Sequence, residues 1–159
     1  MKILGAGLVL LGAAAFLRCR RREEQQRLLL MEAIWEDLAL MDYEITALNL
    51  PLPQLLAKRC ESRAGRELWQ PMLEYLRDMP VEESWHLAVS SLPGQLPRCL
   101  GHLGGVLTVG GGAVSRAIAE TREELAGIIG AERSGWGERE KVRAALVLCA
   151  AAMLILVLI

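Results

Sequence analysis

The chain has 159 residues, a formal net charge of −1, and 53% hydrophobic residues of which few are aromatic. That length holds one modest domain with short appendages, and the near-neutral charge excludes the basic excess of a nucleic-acid binder. The four cysteines, Cys19, Cys60, Cys99 and Cys149, form no C-x-x-C pair. Their scatter argues for reduced thiols in a reducing compartment and against a disulfide framework.

Lys2 opens an uncharged run, Ile3 to Leu17, which closes on Arg18-Cys19-Arg20-Arg21-Arg22. The pattern predicts a retained membrane anchor. A cleaved signal peptide is the alternative, with Ala13-Ala14-Ala15 as its small-residue site, but the four arginines crowd the side that would be exported. Lipidation at Cys19 is excluded because Arg18 holds the position before it, where a small residue is required. Gly5, Gly7 and Gly12 are expected to permit close helix contact in a bilayer.

From Glu23 to Leu48 there is neither Gly nor Pro, and Leu30, Ile34, Leu38, Met41, Ile45 and Leu48 recur at helical spacing close to a coiled-coil seam. Met31, Trp35 and Ala39 form a second apolar row. Glu32, Glu36, Asp37, Asp42 and Glu44 fall mostly elsewhere around the helix and make either a partner-binding face or a merely solvated one. Pro51 and Pro53 stop this helix, and Gln54 to Ala57 opens a short second one reaching Cys60.

Ser62 to Gly65 reads as a loop. Leu68 to Leu76 predicts a third helix with Pro71 in its first turn or kinking it. Pro80 is suited to open a fourth, with Glu82 and Glu83 favouring its N-terminal dipole, and Pro93-Gly94 ends it. A fifth, glycine-interrupted helix is expected from Leu96 to Thr108. Gly110 to Gly112 breaks the pattern, Ala113 to Arg133 resumes it with Val114, Ile118, Leu125, Ile128 and Ile129 as its apolar side, and Ser134 to Gly137 is a bend or soft spot.

Ala144 to Ile159 carries no charge, no proline and no strongly polar side chain. As a helix it covers ~24 Å of a ~30 Å hydrocarbon core, and snorkelling of Lys141 and Arg143 closes the gap. The alternative is a buried core helix. Arg18, Arg20, Arg21 and Arg22 follow the first apolar run, and Lys141 and Arg143 precede the second. Under the positive-inside rule both basic borders lie in the cytosol and both termini outside. The expected fold is therefore all-α: an N-terminal transmembrane helix with its basic flank (1–20), a small cytosolic helical bundle (21–140) and a C-terminal transmembrane helix (141–159). No stretch shows the strict alternation of a strand.

Chemistry-bearing patterns are weak. The glycines from Gly101 to Gly112 lack the Gly-Lys-Ser/Thr and the preceding strand of a phosphate loop, so loosened helix packing is the better reading. Cys99 and His102 have C-x-x-H spacing with His86 as a third candidate, but no fourth ligand is evident. No nucleophile–base set stands out. The expectation is a non-enzymatic protein with no catalytic, cofactor-binding or metal-ligating residue, no small-molecule substrate and no nucleic-acid partner. The membrane is the partner implied by the basic borders.

Lys2-Ile3-Leu4-Gly5-Ala6, the apolar run ending in Arg20-Arg21-Arg22, and Met41-Asp42-Tyr43-Glu44-Ile45 leading to Leu50-Pro51-Leu52-Pro53 resemble the stage III sporulation protein AB family of endospore-forming Firmicutes. Val81 to Trp85 and the basic-then-apolar C-terminus fit as well, while Gly110 to Gly112 and Ser134 to Gly137 depart from it. The resemblance implies a platform component of the channel between mother cell and forespore, similar to the inner-membrane platform domains of type II secretion and type IV pilus systems. It implies the mother-cell membrane around the forespore, a cytosolic hexameric ATPase and other membrane proteins as partners, and room for a homo-oligomer. By that analogy Glu32, Glu36, Asp37, Glu44, Pro51, Leu52 and Pro53 are candidates for partner contact. The alternative is a membrane-tethered helical adaptor that recruits a soluble partner outside any channel.

Overall fold

The computed structural model describes residues 2–48, 50–109 and 112–158; the side chains of 2–10, 136, 138–140 and 154–158 lie outside the described set. Among the described residues the secondary structure is helical and no strand occurs. The order is α1 Lys2–Leu48, α2 Leu52–Arg59, a π-helical turn Gly65–Trp69, α3 Gln70–Tyr75, α4 Val81–Ser90, α5 Leu96–Leu100, α6 Leu103–Leu107 and α7 Gly112–Leu158. The chain divides into two compact units. The central unit is Leu29–Ile129, and the terminal unit is Met1–Leu28 with Gly130–Ile159. The boundaries expected at 20 and 141 thus fall within the terminal unit.

In the central unit the seam of α1 lies where its periodicity puts it. Leu30, Ile34, Leu38 and Met41 are buried, Ile45 is partly buried, and Leu48 is exposed at the end of the helix. Facing them, α7 supplies Val114, Ala117, Ile118 and Leu125, again at helical spacing, with Ile128 and Ile129 partly buried. The indole N–H of Trp35 donates to the Arg122 carbonyl at 3.1 Å, and Ser115 donates to the Asp42 carboxylate. A seven-residue advance on α1 matches a seven-residue retreat on α7, so within this unit the two helices run antiparallel. The Arg122 guanidinium lies 4.2 Å from the centre of the Trp35 ring, a cation–π contact that holds the same pair.

Between them the short helices close the core around two tryptophans. Trp69 and Trp85 are fully buried, their ring centres 6.1 Å apart and tilted by 42°. The Trp85 indole N–H donates to the Leu100 carbonyl at 2.8 Å, a carbonyl freed because α5 ends there. The expected fifth helix is two helices, α5 and α6, separated at Gly101-His102. Gly101 and Gly104 are packing sites, contrary to the expectation of loosened packing, whereas a Cβ on Gly105 would make only ordinary contact and one on Gly112 would meet open space. A Cβ on Gly104 would sit 2.7 Å from Trp85 Cδ1, and one on Gly101 would sit 2.9 Å from the Pro97 carbonyl oxygen.

The third helix begins with a π-helical turn. Pro71 has no N–H to offer the Glu67 carbonyl, and the Gln70 N–H reaches back five residues to the Gly65 carbonyl. Gly65 itself is buried directly under the Cys60 carbonyl, where a Cβ would stand 2.0 Å from the oxygen. Pro80 is the N-cap residue of α4 rather than its first turn, and Gly94, with φ 70°, turns the chain after the helix. Contrary to the expected bend, α7 runs through Ser134 to Gly137 without a break. Gly110 and Gly111 lie outside the described residues.

In the terminal unit, a Cβ on Gly12 would meet open space within this chain; the side chains around Gly5 and Gly7 lie outside the described set. Among the described residues no helix is long and apolar enough to cross a membrane. In sequence the uncharged runs, 3–17 and 144–159, are fifteen and sixteen residues long, short of the ~20 a span requires; the side chains of 2–10 and 154–159, on which the expected spans fall in part, lie outside the described set.

Candidate functional site

The residues nominated for partner contact divide sharply by environment. Asp37 is buried, and its Oδ2 accepts hydrogen bonds from Ser62 Oγ at 2.6 Å and from Trp69 Nε1 at 2.5 Å. It anchors the π-helical turn to α1 and offers nothing to a partner. Glu44 is nearly buried as well, paired with Arg59 at 2.6 Å and Lys58 at 3.4 Å, and it fastens α2 to α1. Both leave the proposed acidic face, because each follows a buried seam residue by three positions, Asp37 after Ile34 and Glu44 after Met41, and so shares its side of the helix.

Glu36 is exposed and Glu32 is half-buried and engaged within the chain. At the corner, Pro51 and Pro53 are exposed while Leu52 packs against the core. The Pro51 carbonyl accepts from the Gln54 and Leu55 N–H groups, which fixes the turn into α2. Two exposed apolar residues complete this surface and escaped the acidic-face reading: Leu40, 49% exposed, and Tyr43, 62% exposed. With Glu36 and Ala47 they form a 36/40/43/47 stripe on α1, turned away from the buried seam. The available signal was their place off the seam spacing.

The C-x-x-H pattern does not build a metal centre. Cys99 is buried, and its thiol is pushed up to about 12, first by burial and then by the charge and hydrogen bond of Glu124. His102 Nε2 lies 2.9 Å from Thr121 Oγ1, whose hydroxyl donates to the Ala117 carbonyl. The Thr121 oxygen is then the acceptor for the Nε2–H tautomer of His102. Among the described residues no three His, Cys, Asp or Glu side chains gather as metal ligands. Cys60 is half-buried, its thiol raised by burial and by Glu74, and all four cysteines are free.

The basic borders, by contrast, come together. In the terminal unit, Leu17, Arg18, Arg20, Arg21 and Glu24 of α1 and Arg143 and Ala144 of α7 line one cavity of about 210 Å³. Arg143 is ion-paired to Glu24 across it. Arg20 pairs at 3.6 Å with Glu23, one turn on, where both are well exposed and the attraction is weak. Arg22 and Lys141 are exposed and do not line the cavity. No family model, no curated protein and no solved structure matches the chain.

Proposed function

We propose that this chain is a non-enzymatic, membrane-anchored platform component of a trans-envelope apparatus of the stage III sporulation AB type. Its central unit faces the cytosol and receives a hexameric ATPase, and its two apolar ends hold it in the membrane. The supporting observation is the pairing of Glu24 with Arg143. Two helices that both border the membrane on its cytosolic side must bring their basic flanks to one level, and this ion pair joins those flanks within one unit. The Asp37 and Glu44 contacts add a second support: they spend the buried acidic groups on rigidity and leave the Glu36, Leu40, Tyr43 stripe for a partner.

The test is a topology map. Single-cysteine variants at Lys2, Arg63 and Ile159, in a background without the four native cysteines, are treated on intact cells with an impermeant thiol reagent. Labelling at Lys2 and Ile159 but not at Arg63 is the expected result. Labelling at Arg63 overturns the orientation, and recovery of the chain free of membrane overturns the anchoring.

A further inference from the structure

The cavity between Leu17 and Ala144 has a composition that the anchoring role alone does not require. It is lined by Leu17 and Ala144, the last residue of one apolar run and the first of the other, together with arginines from both helices. Four arginines and one glutamate line this cavity of about 210 Å³; Arg20 is met by Glu23 and Arg21 is engaged within the chain, which leaves Arg18 and the Glu24-held Arg143 to face a ligand. That volume is below the ~300 Å³ at which drug-sized ligand sites begin, so it suits a single headgroup rather than a nucleotide. Guanidinium groups present paired donors that match phosphate oxygens. Arg18 has no hydrogen bond or ion pair among the described residues, and Arg143 is held in place by Glu24.

We propose that this cavity is a binding site for one phosphate-bearing headgroup, filled by an anionic glycerophospholipid whose acyl chains leave past Leu17 and Ala144. The inference rests on the membrane-anchored reading, since only that places Leu17 and Ala144 at the edge of hydrocarbon. It differs from general attraction of basic flanks to a charged surface by naming which arginines matter. Arg18 and Arg143 grip the phosphate, whereas Arg22 and Arg27, outside the cavity, contribute only to the diffuse field.

The full chain, purified in a neutral detergent, is titrated with short-chain phosphatidylglycerol, with phosphatidylcholine of equal chain length and with glycerol 3-phosphate, and bound adducts are counted by native mass spectrometry. The wild type is compared with R18Q/R143Q and with R22Q/R27Q, which remove equal charge and retain good helix formers. Circular dichroism of each confirms its helix content. The expected result is one saturable phosphatidylglycerol, at least about tenfold tighter than phosphatidylcholine, lost in R18Q/R143Q and kept in R22Q/R27Q. Equal losses in both pairs mean a diffuse basic patch and overturn the site. Glycerol 3-phosphate binding as tightly as the lipid assigns the cavity to a water-borne phosphate and overturns the lipid occupant. Alkaline carbonate extraction of the same variants from cell membranes tests the anchoring separately: release of the wild type sinks the anchored reading, whereas retention of all three with no lipid adduct sinks only the cavity.

Discussion

Asp37 and Trp69 share a hydrogen bond of 2.5 Å that ties α1 to the π-helical turn across 32 positions of sequence. The same carboxylate oxygen takes the Ser62 hydroxyl, so one buried side chain satisfies two donors that nothing else meets. Asp37→Ala strands the indole N–H and the hydroxyl, and is expected to lower the unfolding free energy by about 2–3 kcal/mol. Asp37→Asn keeps one acceptor oxygen and loses about 1 kcal/mol. Urea titration of the chain, followed by Trp fluorescence, measures both. An alanine variant as stable as wild type would show that the bond carries no weight.

Glycine substitutions in the central unit should divide by what a Cβ would meet. At Gly104 it meets the Trp85 ring, and Gly104→Ala is expected to destabilise by about 1–3 kcal/mol. At Gly65 it meets the Cys60 carbonyl, part of the backbone, which has no rotamer to yield; Gly65→Ala is expected to be worse than Gly104→Ala. At Gly127, inside α7, it meets nothing, and Gly127→Ala should stabilise by about 0.5–1 kcal/mol through the lost freedom of the unfolded chain. Melting temperatures of the three variants give the order directly.

Stability should fall at alkaline pH through Cys99. The unfolded thiol ionises near 9.0, while in the folded chain it is held to about 12, so above 9 the unfolded state sheds a proton that the folded state keeps. The stability this thiol contributes is complete below pH 9 and is lost progressively between 9 and about 12. Cys99→Ala should show a shallower decline over that interval in denaturant midpoints. Iodoacetamide at pH 8 should modify Cys99 only as the chain unfolds.

Partner binding should respond to Glu36, Leu40 and Tyr43 and should not be tested through Asp37 or Glu44. Glu36→Lys combined with Leu40→Ser and Tyr43→Ser alters only exposed side chains and is expected to leave melting unchanged while abolishing co-purification of the proposed ATPase partner. Undiminished capture by the folded triple variant would remove this stripe of α1 as the contact. Glu44→Ala, by comparison, uncouples Arg59 and Lys58 and should cost about 2–3 kcal/mol in stability, so a binding loss there would report folding.

Much of the bundle was legible in the chain because its two long helices are patterned by burial. The spacing of Leu30, Ile34, Leu38 and Met41, and of Val114, Ile118 and Leu125, named core residues correctly. Pro51 with Pro53 and Pro93 with Gly94 marked helix ends as the geometry of those residues dictates. What sequence periodicity did not carry was environment perpendicular to the helix. Asp37 lies three residues from Ile34 and one from Leu38, so it turns inward with the seam, and only the distant Trp69 donor makes that tolerable. The role of Gly104 depends on Trp85, nineteen positions earlier, and glycine composition alone reads equally as looseness or close approach. The arginine cavity is of the same kind: each basic border is plain in sequence, but their meeting is a tertiary fact.

The antiparallel match of Trp35 with Arg122, 87 positions apart, has a consequence during synthesis. The first half of the central core is translated long before its other wall exists. Leu30 to Met41 must therefore wait, with its apolar stripe uncovered, until the ribosome has delivered Val114 to Leu125. A chaperone is the natural shelter for that interval. A ribosome stalled before residue 112 would hold a chain with half a core and a greasy helix face open to its neighbours.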